Sequence, residues 1–262
     1  MGIIDEILEE KRREVSELKK LHGESLFSLR RNSNSFYKSL KQEEYLSVIA
    51  EIKPKSPSHG VMASEENMIE IAKLYKKRGV NAISVLTDSK FFGGGYNLLD
   101  EISKEVDIAL LAKDFIIDKI QIDMAVINGA SAVLLISDIL NDNELLKLYE
   151  YAISKKIDVL LEAHRVENVK RCVELNPAII GINNRDLFTL KEDLNHSLRV
   201  REFLPDGAIK LSLSSIKSRE DAKKVMEAGY DGILIGSVIM KAFNRSAALN
   251  SFMKIEKKMG VL

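Results

Sequence analysis

The sequence predicts a closed (βα)8 barrel, a TIM barrel of the α/β class, carrying an N-terminal helical extension. Three observations lead there. Short β-branched runs alternate with helical patterns eight times along the chain. Successive runs begin about 20 to 35 residues apart, the span of one βα unit. The 262 residues match the length of one such barrel. A doubly wound open sheet is the other arrangement that eight βα units admit, but no GxGxxG follows the first strand run. No linker marks a second domain, so residues 1–262 read as one barrel domain, with residues 1–45 as a helical extension covering its C-terminal face.

The elements follow in order. Ile4, Ile7, Leu8, Val15 and Leu18 recur near the 3.6-residue period around EEKRRE, which predicts an amphipathic first helix. Two shorter apolar-spaced stretches follow, around 26–30 and 36–40. The strand runs are SVIAEI (from Ser47), NAISVLT (from Asn81), IALLAK (from Ile108), SAVLLIS (from Ser131), IDVLLEA (from Ile157), AIIGIN (from Ala178), AIKLSL (from Ala208) and GILIG (from Gly232). They are apolar nearly throughout, as strands buried on both faces are. Helical patterns such as EENMIEIAKLYKKRG, DKIQIDMAVING and REDAKKVMEAG lie between them, and Gly79, Gly129 and Gly229 close these as C-terminal stops.

Composition narrows the function. Lys and Arg number 39 and Asp and Glu 39, so the chain has no basic balance to recommend nucleic acid or an anionic membrane surface as a partner. No apolar stretch approaches the roughly 18 residues of a membrane span. The opening MGIIDEILEEKRREV lacks the apolar core of a signal peptide, and the single cysteine, Cys172, fits a reducing compartment. A cytoplasmic location is expected.

In a barrel of this kind chemistry collects at the C-terminal strand ends. The first strand ends AEIKPKSPSHG, where Glu51 and Lys53 share a face; they read either as an acid–base pair in the barrel mouth or as a salt bridge plugging it. Lys55, Ser56 and Ser58 follow in a loop suited to phosphate. The third strand ends in Lys113, in desolvating surroundings suited to proton transfer. Glu162 stands at the same level on the fifth strand, and Asn183 and Arg185 on the sixth. Two lysines, two glutamates and an asparagine at four strand ends form an acid–base constellation. Ser214, Ser215, Gly236 and Ser237, after the last two strands, are candidates for the phosphate seat usual in barrels, although LIGS also reads as a plain strand-to-helix turn. His164 lies two residues after Glu162 with no third ligand in view, so no metal is expected. Cys172 reads as a packed helix residue. The glycines after Phe91-Phe92 suggest a mobile loop whose aromatics cover a flat ligand or pack on the N-terminal helices.

The segments IAEIKPKSPSHG, AISVLTDSKFFGG, LLAKDFIID, GASAVLLI, LLEAH, IIGINNRDL and GILIGSVIM resemble the indole-3-glycerol phosphate synthase family, in the family's order, over residues ~47 to ~242. The resemblance implies conversion of 1-(2-carboxyphenylamino)-1-deoxyribulose 5-phosphate to indole-3-glycerol phosphate, with loss of CO2 and water, in tryptophan biosynthesis and with no cofactor. It also implies a carbon–carbon lyase that takes a small phosphorylated substrate and associates, if at all, with other tryptophan-pathway enzymes. Carried over by motif, Lys113 would be the general acid at the ketone, and Glu162 would assist proton transfer during dehydration. Lys53 would bind the substrate carboxylate, Glu51 would orient Lys53 or act as base, and Asn183 and Ser214 would hold substrate hydroxyls. Ser56, Phe92, Arg185 and Leu234 are the expected substrate contacts. Lys55, Ser215, Gly236 and Ser237 are the expected phosphate contacts.

One segment departs from the family's usual S-E-S-G-I: here it is Ser212-Leu213-Ser214-Ser215-Ile216. Leu213 cannot accept a proton, and its loss of a carboxylate leaves the two lysines less compensated. Ser215 adds a Cβ in the phosphate loop. A slower or retuned synthase, or a non-catalytic phosphosugar-binding barrel, is the alternative these residues raise. A barrel isomerase acting on a phosphoribosyl anthranilate fits less well, since no cysteine ends the first strand.

Overall fold

The fold is seen in a computed structural model that describes residues 2–24, 34–56, 60–62 and 68–257. Eight parallel strands close into a barrel: β1 (Ser47–Ile52), β2 (Ala82–Leu86), β3 (Ala109–Lys113), β4 (Ala132–Ile136), β5 (Asp158–Ala163), β6 (Ile179–Asn183), β7 (Ile209–Leu213) and β8 (Gly232–Ile235). Closure is made by β1, whose Ile49 registers with Leu234 on β8 and with Ala82 on β2. A two-stranded ribbon, Lys55–Ser56 against Gly60–Val61, stands outside the barrel after β1.

Alternation along each strand divides the core in two. Val48, Ala50, Val85, Leu110 and Val133 face outward and pack on the surrounding helices. Ile49, Leu111, Leu134, Leu160 and Leu211 face inward and fill the barrel. This is why the runs are apolar without a break. Among the described residues, no helix is long and apolar enough to cross a membrane.

The N-terminal extension divides between the two ends of the barrel. Helix α1 (Ile3–His22) lies over the C-terminal strand ends. Helix α2 (Phe36–Leu40) closes the other end, so the expected cover of the C-terminal face by all of residues 1–45 is corrected to α1 alone among the described residues. The reason is local. Phe36 and Leu40 are wholly buried and share the inner cluster with Ala82, Ala109 and Ala132, small residues that open the strand starts. The Tyr37 amide and the Ser35 hydroxyl donate to the Asp158 carboxylate at 3.0 and 3.1 Å, at the beginning of β5. Asn81 and Ser47, beside the starts of β2 and β1, donate to the Ser39 and Leu40 carbonyls. The stretch around 26–30 lies outside the described residues.

Because Asp158 receives both donors of the plug, Asp158→Ala is expected to lower unfolding free energy by about 1–3 kcal/mol in urea melts. Its turnover should stay at the parent value, since the plug is a barrel length from the strand ends.

Candidate active site

The inward alternation that fills the barrel with aliphatic side chains places polar ones at its C-terminal mouth. Glu51 on β1, Lys113 at the end of β3, Glu162 on β5 and Asn183 at the end of β6 all point into one cavity of about 400 Å³, joined by Lys53 just beyond β1. Glu51 is 5% exposed. Its Oε1 lies 2.7 Å from Lys53 Nζ and its Oε2 4.0 Å from Lys113 Nζ. Burial alone would push this carboxyl up, but the two ammonium groups outweigh it and hold its pKa below the usual value.

Glu162 differs. It is buried, Asn183 Nδ2 donates to its Oε1 at 2.9 Å, and its Oε2 has no hydrogen-bond partner. Burial raises its pKa, against the opposing effects of Lys113 and the Asn183 hydrogen bond. The mouth therefore holds one carboxylate kept ionised and one pushed toward its neutral form, which suits separate proton-transfer roles.

The remaining candidates divide. Phe92, Arg185, Ser214, Ser215, Leu234, Gly236 and Ser237 line the same cavity. The Arg185 guanidinium pairs with Glu192, which also meets Lys217 at 2.9 Å. Lys55 does not reach the cavity wall; its amide donates to the Phe92 carbonyl and its side chain runs along Gly93. The Ser56 side chain and Ser58 lie outside the described residues. His164 is occupied by the Asn183 carbonyl at 2.7 Å, and among the described residues no three His, Cys, Asp or Glu are grouped to hold a metal ion. Cys172 is buried, its thiol pushed up to about 12 by desolvation.

Four features of the site escaped sequence reasoning. Ile4 and Ile7 of α1, with Phe115, Leu134 and Ile136, give the cavity an apolar wall suited to an aromatic ring. The Phe91–Phe92 turn is held rather than loose: both amides donate to Asp88 Oδ1, at 2.6 and 3.0 Å. Gly236 has a second duty, since a Cβ there would come within 2.5 Å of Glu51 Oε1. Leu213 lies in the inner cluster, where its Cδ1 occupies space that Gly181 leaves free.

Ser214 and Ser215 both adopt left-handed backbone, with φ of 63° and 61°. Such a conformation costs L-residues energy, so the surrounding structure must hold this loop in place.

A (βα)8 barrel with two ammonium groups, two contrasted carboxylates and a serine- and glycine-lined pocket at its C-terminal mouth is an acid–base enzyme of the barrel class. The family profile "Indole-3-glycerol phosphate synthase" matches residues 4–252. The indole-3-glycerol phosphate synthase of Staphylococcus saprophyticus is 39% identical over 253 residues, covering 95% of this chain and 96% of that protein. That of Exiguobacterium sibiricum is 42% identical over 244 residues, covering 93% and 94%. The chain belongs to the indole-3-glycerol phosphate synthase family. Among solved structures, 3-hexulose-6-phosphate synthase from Salmonella typhimurium superposes with a TM-score of 0.66 at 13% identity, covering 79% of this chain and 96% of that one. This likeness speaks to the barrel alone.

Two substitutions check the geometry. Gly236→Ala should displace the Glu51 carboxylate and lower kcat about tenfold or more, with secondary structure by circular dichroism unchanged. Ser215→Gly should relieve the left-handed strain and raise stability by about 0.5–1 kcal/mol, read as an upward shift of Tm.

Proposed function

We propose that the cavity binds 1-(2-carboxyphenylamino)-1-deoxyribulose 5-phosphate and closes its ring to indole-3-glycerol phosphate, releasing CO2 and water, as a carbon–carbon lyase of tryptophan biosynthesis. The observation that carries this reading is the pair Lys53 and Lys113 flanking the buried Glu51 opposite Glu162, within a chain of this family.

The steps follow from the chemistry. The aryl carbon bearing the carboxylate attacks the ketone, and Lys113 donates a proton to the ketone oxygen as the carbon–carbon bond forms. CO2 departs, leaving its bonding pair to restore the aromatic ring. The new hydroxyl leaves as water with a proton from Lys53, and Glu162 takes the proton that the five-membered ring loses as its double bond forms. Before that, Lys53 faces the substrate carboxylate, and Glu51 orients Lys53 through the 2.7 Å contact. Asn183 holds Glu162 and, with Ser214, the substrate hydroxyls. Ser215, Gly236 and Ser237 seat the phosphate. Arg185 and Leu234 contact the carboxyphenyl end with Phe92. Phosphate binding remote from the reacting carbons orients the ring. The full proton-transfer set supports turnover over the ligand-binding alternative. The cytoplasm is the proposed location, with the enzymes that supply the substrate and consume the product as the partners the chain would meet there.

Formation of indole-3-glycerol phosphate, followed by its fluorescence, tests the reading: the parent chain should turn over and Lys113→Ala should lose about 10²-fold or more of kcat. Absence of turnover by the parent chain would sink the assignment.

A pH profile tests Glu162. Its carboxylate form accepts the proton, so kcat/KM should fall as pH drops through its raised pKa. Asn183→Ala removes a hydrogen bond that favours the charged form, so the acid limb should move to higher pH. A limb that stays in place would exclude Glu162 as its origin.

A further inference from the structure

Outside the residues given a part in the reaction, the most heavily engaged group is Lys11, midway along α1. Its side chain is wholly buried, and its ammonium lies 2.9 Å from Asp88, 2.9 Å from Asp114 and 2.6 Å from Glu14. Burial works against the charged form, but Asp114 and Asp88 more than offset it, so the group stays protonated. Among the described residues, two other ion pairs join α1 to the rim, Glu10 with Lys90 and Lys19 with Asp118, but each is open to water on at least one side and holds less.

Both partners of Lys11 on the barrel also touch the cavity machinery. Asp88, two residues past β2, receives the Phe91 and Phe92 amides on Oδ1 and so sets the ring of Phe92, which lies 6.1 Å from that of Phe115. Asp114 directly follows Lys113. Its Oδ1 receives the Phe115 amide at 2.8 Å and its Oδ2 the Thr87 hydroxyl at 3.0 Å. On the other side of Lys11, Ile3, Ile4 and Ile7 form the roof of the cavity.

We propose that Lys11 is a positioning residue of the active site: its ammonium, seated between Asp88 and Asp114, fixes the roof helix and, through those carboxylates, the turn that carries Phe92 and the segment that leads from Lys113 at the end of β3 to Phe115. Removing the charge leaves two buried carboxylates without their cation. They must take up a proton or turn toward water, and in either case the turns they hold shift. The groups facing this cluster are Glu14 and Glu10 on α1, Tyr96 at the start of α3 (Tyr96–Glu105) and Thr87 after β2.

The inference rests on the proposed reaction for its kinetic arm only. Lys11→Met and Lys11→Arg in the full chain would be compared with the parent by steady-state kinetics and by amide hydrogen exchange. Lys11→Met should lower kcat/KM about tenfold or more, with a rise in KM carrying much of the loss because roof and Phe92 touch bound substrate. Lys11→Arg keeps the charge and should recover most of it. The amides of Phe91, Phe92 and Phe115 should exchange about tenfold faster in Lys11→Met, while those of β5 to β7 stay at parent rates. Parent kcat and KM in Lys11→Met would overturn the inference, as would faster exchange confined to α1. A parent chain without turnover would fail the assigned reaction instead, and the exchange pattern would then decide the role of Lys11 alone. If Lys11→Met does not fold, Lys11→Gln, which keeps donors but no charge, is read in the same way.

Discussion

The mouth of this barrel is organised around one buried carboxylate. Glu51 is nearly inaccessible to water, and an ionised group in that position demands a cation. Lys53 supplies it at 2.7 Å, and Lys113 adds a second from across the mouth. The same demand runs outward. β8 must be followed by a residue without a side chain, because a Cβ at Gly236 would strike the carboxylate. Once Glu51 is placed, both lysines are placed around it, in surroundings where water screens little.

The two ends of the barrel are closed by different physics. At the strand starts, Phe36 and Leu40 fill space left by three alanines, and hydrogen bonds from Ser35 and Tyr37 to Asp158 fix the plug. That is packing, and it serves stability. At the strand ends, α1 lays isoleucines over a cavity and is tied down by Lys11 between two carboxylates. An ion cluster is a poor way to gain stability, since an apolar replacement of similar size often does as well. It is a good way to fix geometry, since its partners tolerate few arrangements, and here those partners adjoin Phe92 and Lys113.

Much of this was legible in the chain, for reasons that particular residues make plain. A strand buried on both faces is apolar at every position, so Glu51, Lys113, Glu162 and Asn183 stand out at the ends of such runs without any knowledge of the fold's interior. The eightfold repeat of strand and helix closes into a barrel for the same reason. Ile4, Ile7 and Phe115 did not stand out, because an apolar residue lining a cavity and one filling a core have the same periodicity. Lys11 sits among EEKRRE and reads as one charge of a solvated face; only the fold reveals that it points inward. The pattern around Phe36 announces a short helix but not which end of the barrel receives it. Lys55 was drawn toward the phosphate by its loop, yet the ribbon that follows β1 sets it against Gly93.

The end of β7 shows how a local departure can be absorbed. Leu213 follows the inward alternation of Ile209 and Leu211 and fills the notch that Gly181 leaves, so the barrel gains packing there. No carboxylate stands at that position to share the lysines, and their compensation falls to Glu51, with Glu162 inclined by burial toward its neutral form. The two carboxylates thereby differ: one is held ionised between the cations, and the other, anchored by Asn183 through one oxygen and with no hydrogen-bond partner on the second, is pushed by burial toward its neutral form. Ser214 and Ser215 then carry the chain over the rim in left-handed backbone, a strain accepted where the loop lines the cavity and nowhere along β7 itself.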